Sequence, residues 1–219
     1  LNRVVIDKNS QALIYSLTEQ DGIKGMDFKQ NSVALDSKNR LWWGTNKSLS
    51  MLDLNQYQIP QKAPKNLILQ RLDINGRFVD YRHVAEVNQE RIEFDSVALF
   101  GNYPINLELP FRLNHLTFYV SAIDFAAPHK VKYSYMIQGL DNEWSQPSPE
   151  SRAEYRNLPY GTYTFIVRAI GAAQKWGDPF ELSFKIHPPW WFAWWAYIIY
   201  GIILAGILHQ YRRFLLRGA

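Results

Sequence analysis

The 219 residues include no cysteine. That excludes a disulfide framework and any thiolate metal site, so packing alone must hold the fold. The five histidines (His83, His115, His129, His187 and His209) are scattered, with no metal-ligand spacing of the His-x3-His kind. A glycine-rich phosphate loop is also missing. The nearest carboxylate pairs are Glu93 with Asp95 and Asp141 with Glu143. Each pair is two residues apart on or beside a strand, which suits a solvated face or turn better than acid–base work. No catalytic residue, metal or cofactor is therefore expected. Acid is missing from the C-terminus, since all 20 Asp and Glu precede Leu208 while Arg212, Arg213 and Arg217 follow it. The earlier residues hold 21 basic against 20 acidic side chains. A net charge near +1 offers no extended basic face for nucleic acid.

Charge is absent from Trp190 to Leu208, where nothing is more polar than a tyrosine hydroxyl. A bilayer core takes roughly twenty apolar residues as a helix. Trp190, Trp191, Trp194, Trp195, Tyr197 and Tyr200 crowd its first half, and such rings favour the headgroup level. Arg212 and Arg213 follow directly, and cations are retained on the cytoplasmic side. The expectation is one transmembrane helix over 189–211, anchored by Trp190, Trp191, Trp194, Trp195, Arg212 and Arg213. Residues 212–219 would form a cytoplasmic tail and residues 1–188 would lie outside. Gly201 and Ala205 make a small-x3-small pair compatible with helix pairing. Export requires a leader, yet Leu1 to Lys8 has no hydrophobic region and no initial Met. A piece of a longer or processed protein is expected.

The ectodomain reads as strands and turns. Ala12–Leu17, Ser32–Asp36, Leu41–Thr45 and Leu49–Leu54 are short strands, with Asp21-Gly22 a turn. The run Asp21-Gly22-Ile23, Asn31-Ser32, Asp36-Ser37-Lys38-Asn39, Leu41-Trp42-Trp43-Gly44-Thr45 and Leu49 resembles one blade of the two-component-regulator β-propeller repeat. Ser48 stands where that repeat has glycine. The resemblance implies that 1–60 is the last blade of an array, since one blade cannot stand alone. Residues 61–104 are a linker and leading strands. Asn75-Gly76 is a hairpin turn with Arg77–Asp80 as the returning strand, and Arg91–Phe94 and Ile105–Leu109 are further strands.

From Leu116 the alternation sharpens through Leu116–Phe125, Val131–Leu140, Arg152–Pro159, Thr162–Ile170 and Phe180–Ile186. Strands at this spacing argue for an all-β, antiparallel sandwich of the immunoglobulin or fibronectin type over 105–188. Tyr133 and Tyr135 with Gly139-Leu140-Asp141-Asn142-Glu143-Trp144 lie in this block. Tyr155, Asn157-Leu158-Pro159, Gly161, Tyr163, Trp176 and Pro188-Pro189-Trp190-Trp191 complete the pattern. This block resembles the tyrosine-motif (Y_Y_Y) domain that joins propeller sensors to the membrane in bacterial regulators. The tyrosines are expected half-buried, with rings inward and hydroxyls bonded at the rim. Trp42, Trp43, Trp144 and Trp176 could present stacking faces to a sugar, but packing explains their positions better.

The resemblance implies a single-pass sensor of the bacterial inner membrane, of the hybrid two-component histidine kinase type. Its partners would be a second copy in a homodimer, the membrane, and a glycan or other small ligand sensed by the upstream propeller. A diguanylate cyclase or DNA-binding output, or a membrane-anchored adhesion protein, are the alternatives. No enzyme activity is expected in the residues given.

Overall fold

The computed structural model describes residues 1–6, 12–25, 27–58, 60–83, 92–125 and 127–217, with side chains described to 213. Two small sheets come first. β1 (Asn2–Ile6) and β2 (Ala12–Ser16) form an antiparallel pair. β3 (Phe28–Leu35), β4 (Arg40–Thr45) and β5 (Leu49–Asp53) form an antiparallel meander with β4 in the middle. The β3–β4 turn is built by Asp36, whose Oδ1 accepts the N–H groups of Lys38 and Arg40, while Asn39 takes φ 59°. Asparagine tolerates that left-handed conformation better than other non-glycine residues. The β4–β5 turn forms without the repeat's glycine. The Thr45 N–H bonds the Ser48 carbonyl at 2.8 Å, and the Ser48 N–H bonds Thr45 Oγ1 at 3.1 Å. The Thr45 hydroxyl thus does what a permissive backbone does elsewhere.

The main body has one shared core. β6 (Lys65–Ile74), β10 (Leu116–Ile123) and β12 (Arg152–Tyr155) make a three-stranded sheet with β10 central. Facing it are β11 (Lys132–Gln138), β13 (Gly161–Ile170), β14 (Phe180–Ile186) and β9 (Leu107–Leu109), in that order. β7 (Ser96–Val97) and β8 (Pro104–Ile105) form a short pair beside them. β13 explains why the layers close face to face. Tyr163, Phe165, Val167 and Ala169 are buried at alternate positions, and the residues between them are not. A period of two puts one full face of a strand inward. Phe118 and Phe165 stack across the layers with centroids 3.9 Å apart and planes 7° apart. Neither sheet closes into a barrel.

Four strand expectations need correction. The sandwich is not wholly antiparallel, because β9 pairs β14 in parallel. Ile105–Leu109 is broken into two pieces, since Asn106 sits at φ 55° and turns the chain between β8 and β9. Asn75 and Gly76 do make the expected turn, at φ 51° and 69°. The returning segment makes only a single bridge, Ile74 to Arg77, and no strand. Arg91 lies outside the described residues, and Glu93 makes only a lone bridge to Glu108.

The last element is α1 (Trp194–Arg217), 24 residues long. It starts later than the expected 189. Pro189 and the short 3-10 turn Trp190–Phe192 precede it, and Ala193 is extended at ψ 146°. Proline biases the residue before it away from helix, so Pro188-Pro189 holds that stretch extended. Every described side chain from Tyr197 to Arg213 is exposed. By mean hydropathy, no helix among the described residues is long and apolar enough to cross a membrane.

Candidate functional site

Polar and aromatic side chains converge in three places along the sandwich. The first is a joint between the N-terminal sheets and the loops at the far end of the sandwich. Lys130 Nζ lies 2.8 Å from Asp21 Oδ1 and donates to the Ser16 carbonyl at 2.8 Å. His129 Nε2 is 3.3 Å from the same carboxylate oxygen. The Gln174 amide bonds the Ile14 carbonyl, and Lys175 Nζ reaches the Gln61 carbonyl at 3.4 Å. Partial burial pushes the Asp21 carboxyl up, but hydrogen bonds from Lys130 and Thr18 and the Lys130 charge outweigh it and hold the group below its ordinary value. The sandwich loops are fixed from behind by buried Asp124, which accepts the Ala172 N–H at 3.0 Å. Gly171 is required there, since a Cβ would lie 2.2 Å from Asp124 Oδ2. A cleft of about 760 Å³ runs along this joint.

The second place is the tyrosine set. Tyr133 is buried on β11, and its hydroxyl accepts the Ala122 N–H of β10 at 3.1 Å, bridging the two sheets. Tyr155 on β12 donates to Asp141 Oδ2 at 2.9 Å, and the same oxygen accepts the Ile137 N–H at 2.8 Å. Burial, then the Asp141 hydrogen bond and charge, push the Tyr155 hydroxyl far above its ordinary pKa. Tyr135 meets Tyr155 edge to face at 6.3 Å. Tyr163 is buried, and its hydroxyl donates to the Pro159 carbonyl four residues upstream at 3.0 Å. That is the arrangement of a tyrosine corner. Gly161 lies under the ring, where a Cβ would come within 3.2 Å of the Tyr163 hydroxyl. Tyr133, Tyr155 and Tyr163 work as bracing: each of their hydroxyls fixes a turn or a sheet-to-sheet distance.

The third place is the threshold of α1. The His187 N–H donates to the Leu109 carbonyl at 2.8 Å, which prolongs the β9–β14 ladder toward the helix. Phe111 meets Trp191 edge to face at 6.1 Å, and Tyr160 meets Phe192 at 5.8 Å. Trp190 stacks on Trp195 at 5.9 Å. The helix start is therefore tied to two loops of the sandwich. Trp194 is 76% exposed, and Arg212, Arg213, Gly201 and Ala205 are exposed too. A Cβ on Gly201 would meet nothing within 4 Å, so within one chain the Gly201–Ala205 face has no partner among the described residues.

The four histidines before α1 do not converge. His83 pairs with Asp80, His115 with Glu154, His129 with Asp21 and His187 with Glu108. Among the described residues there is no metal-binding cluster. The tryptophan faces are already used. Trp43 is 3% exposed, and Trp42 lies against Arg40 and donates to Asp36. Trp144 and Trp176 sandwich the Arg168 guanidinium, each ring centroid 4.0 Å away. Sequence reasoning missed this ladder because the three residues are far apart in the chain. It missed the Asp21–Lys130 pair for the same reason.

The Y_Y_Y domain family matches residues 124–187. Histidine kinase P4 of Formosa agariphila is 30% identical over 93 residues, which is 40% of this chain and 7% of that protein. The extracellular domain of BT3049 from B. thetaiotaomicron, assigned to a hybrid two-component system, superposes with a TM-score of 0.59 at 22% identity. It covers 85% of this chain and 26% of that one. The extracellular domain of BT4673 from the same organism reaches a TM-score of only 0.46 and carries no weight. The chain thus spans a small part of the proteins it matches.

Proposed function

We propose that this chain, whose residues 124–187 match the Y_Y_Y domain, is the membrane-proximal coupling segment of a bacterial transmembrane sensor. The sandwich takes a displacement at its N-terminal joint and delivers it to α1. Homology to a histidine kinase over 93 residues favours a kinase as the output, and the shared fold with an extracellular domain favours an extracytoplasmic ectodomain. In this reading the two N-terminal sheets end a propeller. Val33, Leu35 and Leu49 are each more than 60% exposed, as expected of sheet faces that neighbouring blades would cover.

The observation that carries the proposal is α1 itself. Ile198, Ile202, Ile203, Leu204, Ile207 and Leu208 are each more than half exposed, and they point all round the helix. An element apolar on every side is stable only when lipid or other helices surround it. Average hydropathy understates such a segment, because Trp and Tyr score as polar although they partition well into the headgroup zone. At 1.5 Å per residue, the uncharged stretch of α1 from Trp194 to Tyr211 spans about 27 Å, close to the roughly 30 Å of a hydrocarbon core. Arg212 and Arg213 then mark the cytoplasmic side. The bracing tyrosines keep the sandwich rigid, so a shift at the joint biases a two-state equilibrium of paired helices. Replacing Gly201 and Ala205 with leucine in the full-length receptor tests this pairing. Ligand-dependent output should fall by at least half, and unchanged output would remove helix pairing from the mechanism.

A further inference from the structure

Beside the helix threshold lies a cleft of about 620 Å³, within the size range of small-molecule sites. Its walls are mostly apolar: Pro110 and Phe111 on one side, Pro189, Trp190 and Trp191 on the other. Two carboxylates, the Arg112 guanidinium and the His187 imidazole also line it. Glu108 is already engaged, by His187 Nε2 at 2.7 Å and Lys185 Nζ at 3.4 Å. Those partners, His187 first, hold its carboxyl below the ordinary range. Glu93 is also engaged. Arg112 is exposed and has no acidic partner among the described residues. The one guanidinium lining the cleft is therefore open to an anion.

We propose that this cleft seats the phosphate headgroup of one phospholipid, its phosphate on Arg112 and its glycerol backbone against Phe111, Trp190 and Trp191. A guanidinium offers two parallel donors to a phosphate, which no other side chain can match. The aromatic rings suit the boundary between headgroup and acyl chain. A free phosphate would have no use for so large an apolar wall, which is why a lipid is the occupant. The seat rests on the reading of α1 as a membrane helix, because only then does the cleft lie at headgroup depth. Its consequence is mechanical: a bound lipid would fix the height of the sandwich over the bilayer.

The test uses the full chain in nanodiscs that mix phosphatidylglycerol with an uncharged galactosyl-diacylglycerol. Because cysteine is absent, Ile203→Cys carries one environment-sensitive fluorophore that reads insertion. Native mass spectrometry of the released protein reads which lipid stays bound. One retained phosphatidylglycerol per chain is expected, enriched roughly tenfold over the galactolipid, as one charge-assisted contact allows. Arg112→Gln should cut that enrichment about fivefold or more. Arg77→Gln, which removes an exposed cation outside the cleft, should change it less than about twofold. Excess inorganic phosphate should not displace the lipid. Equal retention by Arg112→Gln, equal loss in Arg77→Gln, or displacement by phosphate would each overturn the seat while leaving insertion intact. A fluorophore that stays in water would overturn the membrane reading and the seat together.

Discussion

Asp141 and the tyrosine that reaches it show how much one polar contact organises here. Its carboxylate takes the Tyr155 hydroxyl and the Ile137 N–H on one oxygen, fixing the turn after β11 to β12. Tyr155→Phe leaves that half-buried carboxylate with one donor fewer and should cost about 1.5–3 kcal/mol, the range for bonds to charged groups. Tyr163→Phe loses a bond to a neutral carbonyl and should cost only about 1 kcal/mol. Urea unfolding of the full chain in detergent ranks the two, and an equal loss would mean that the charge is irrelevant. Asp21 sets the pH response of the joint. Its folded-state pKa is depressed, so its contribution is fully present above the unfolded carboxylate value near 4. That contribution is lost as pH falls through the lower folded value. Asp21→Asn should therefore flatten the acid-side loss of stability as pH falls below the ordinary carboxylate value near 4, by no more than about 1 kcal/mol given solvent screening.

Among the elements, strands with strict alternation were legible from the sequence and irregular ones were not. β13 and β14 follow from the two-residue period of their apolar positions, and Asn75-Gly76 followed from its need for positive φ. The segment from Arg77 to Asp80 alternates too weakly to specify a partner, and its backbone is satisfied by a side chain instead. Asn102 donates to the Val79 carbonyl at 2.6 Å and accepts the Tyr81 N–H at 3.1 Å. No local rule names an asparagine more than twenty residues away. The parallel pairing of β9 is invisible for the same reason, being decided by the edge that β14 leaves open. At the centre of the body, Phe118 and Phe165 lock the layers together. Phe118→Ala should cost about 3–5 kcal/mol through lost burial and a residual cavity. A loss below 1 kcal/mol in the same urea experiment would mean that this stack is not the centre of the core.

For the molecule as a whole, the structure joins a compact β body to a helix whose described side chains from Tyr197 to Arg213 are all exposed. The sequence announced that helix by its missing charges, and the tyrosine spacing announced the domain before it. What it could not reveal is how the two are fastened, because Phe111–Trp191, Tyr160–Phe192 and the His187–Leu109 bond join residues brought close only by folding. Sidedness tests the central claim most directly. Two single-cysteine variants of the full-length protein, Asn142→Cys and Arg213→Cys, are exposed in intact spheroplasts to a maleimide that cannot cross a bilayer, and labelling is measured before and after permeabilisation. The account predicts that position 142 labels at once and position 213 only after the membrane is opened. Equal labelling of both positions in intact spheroplasts would contradict it.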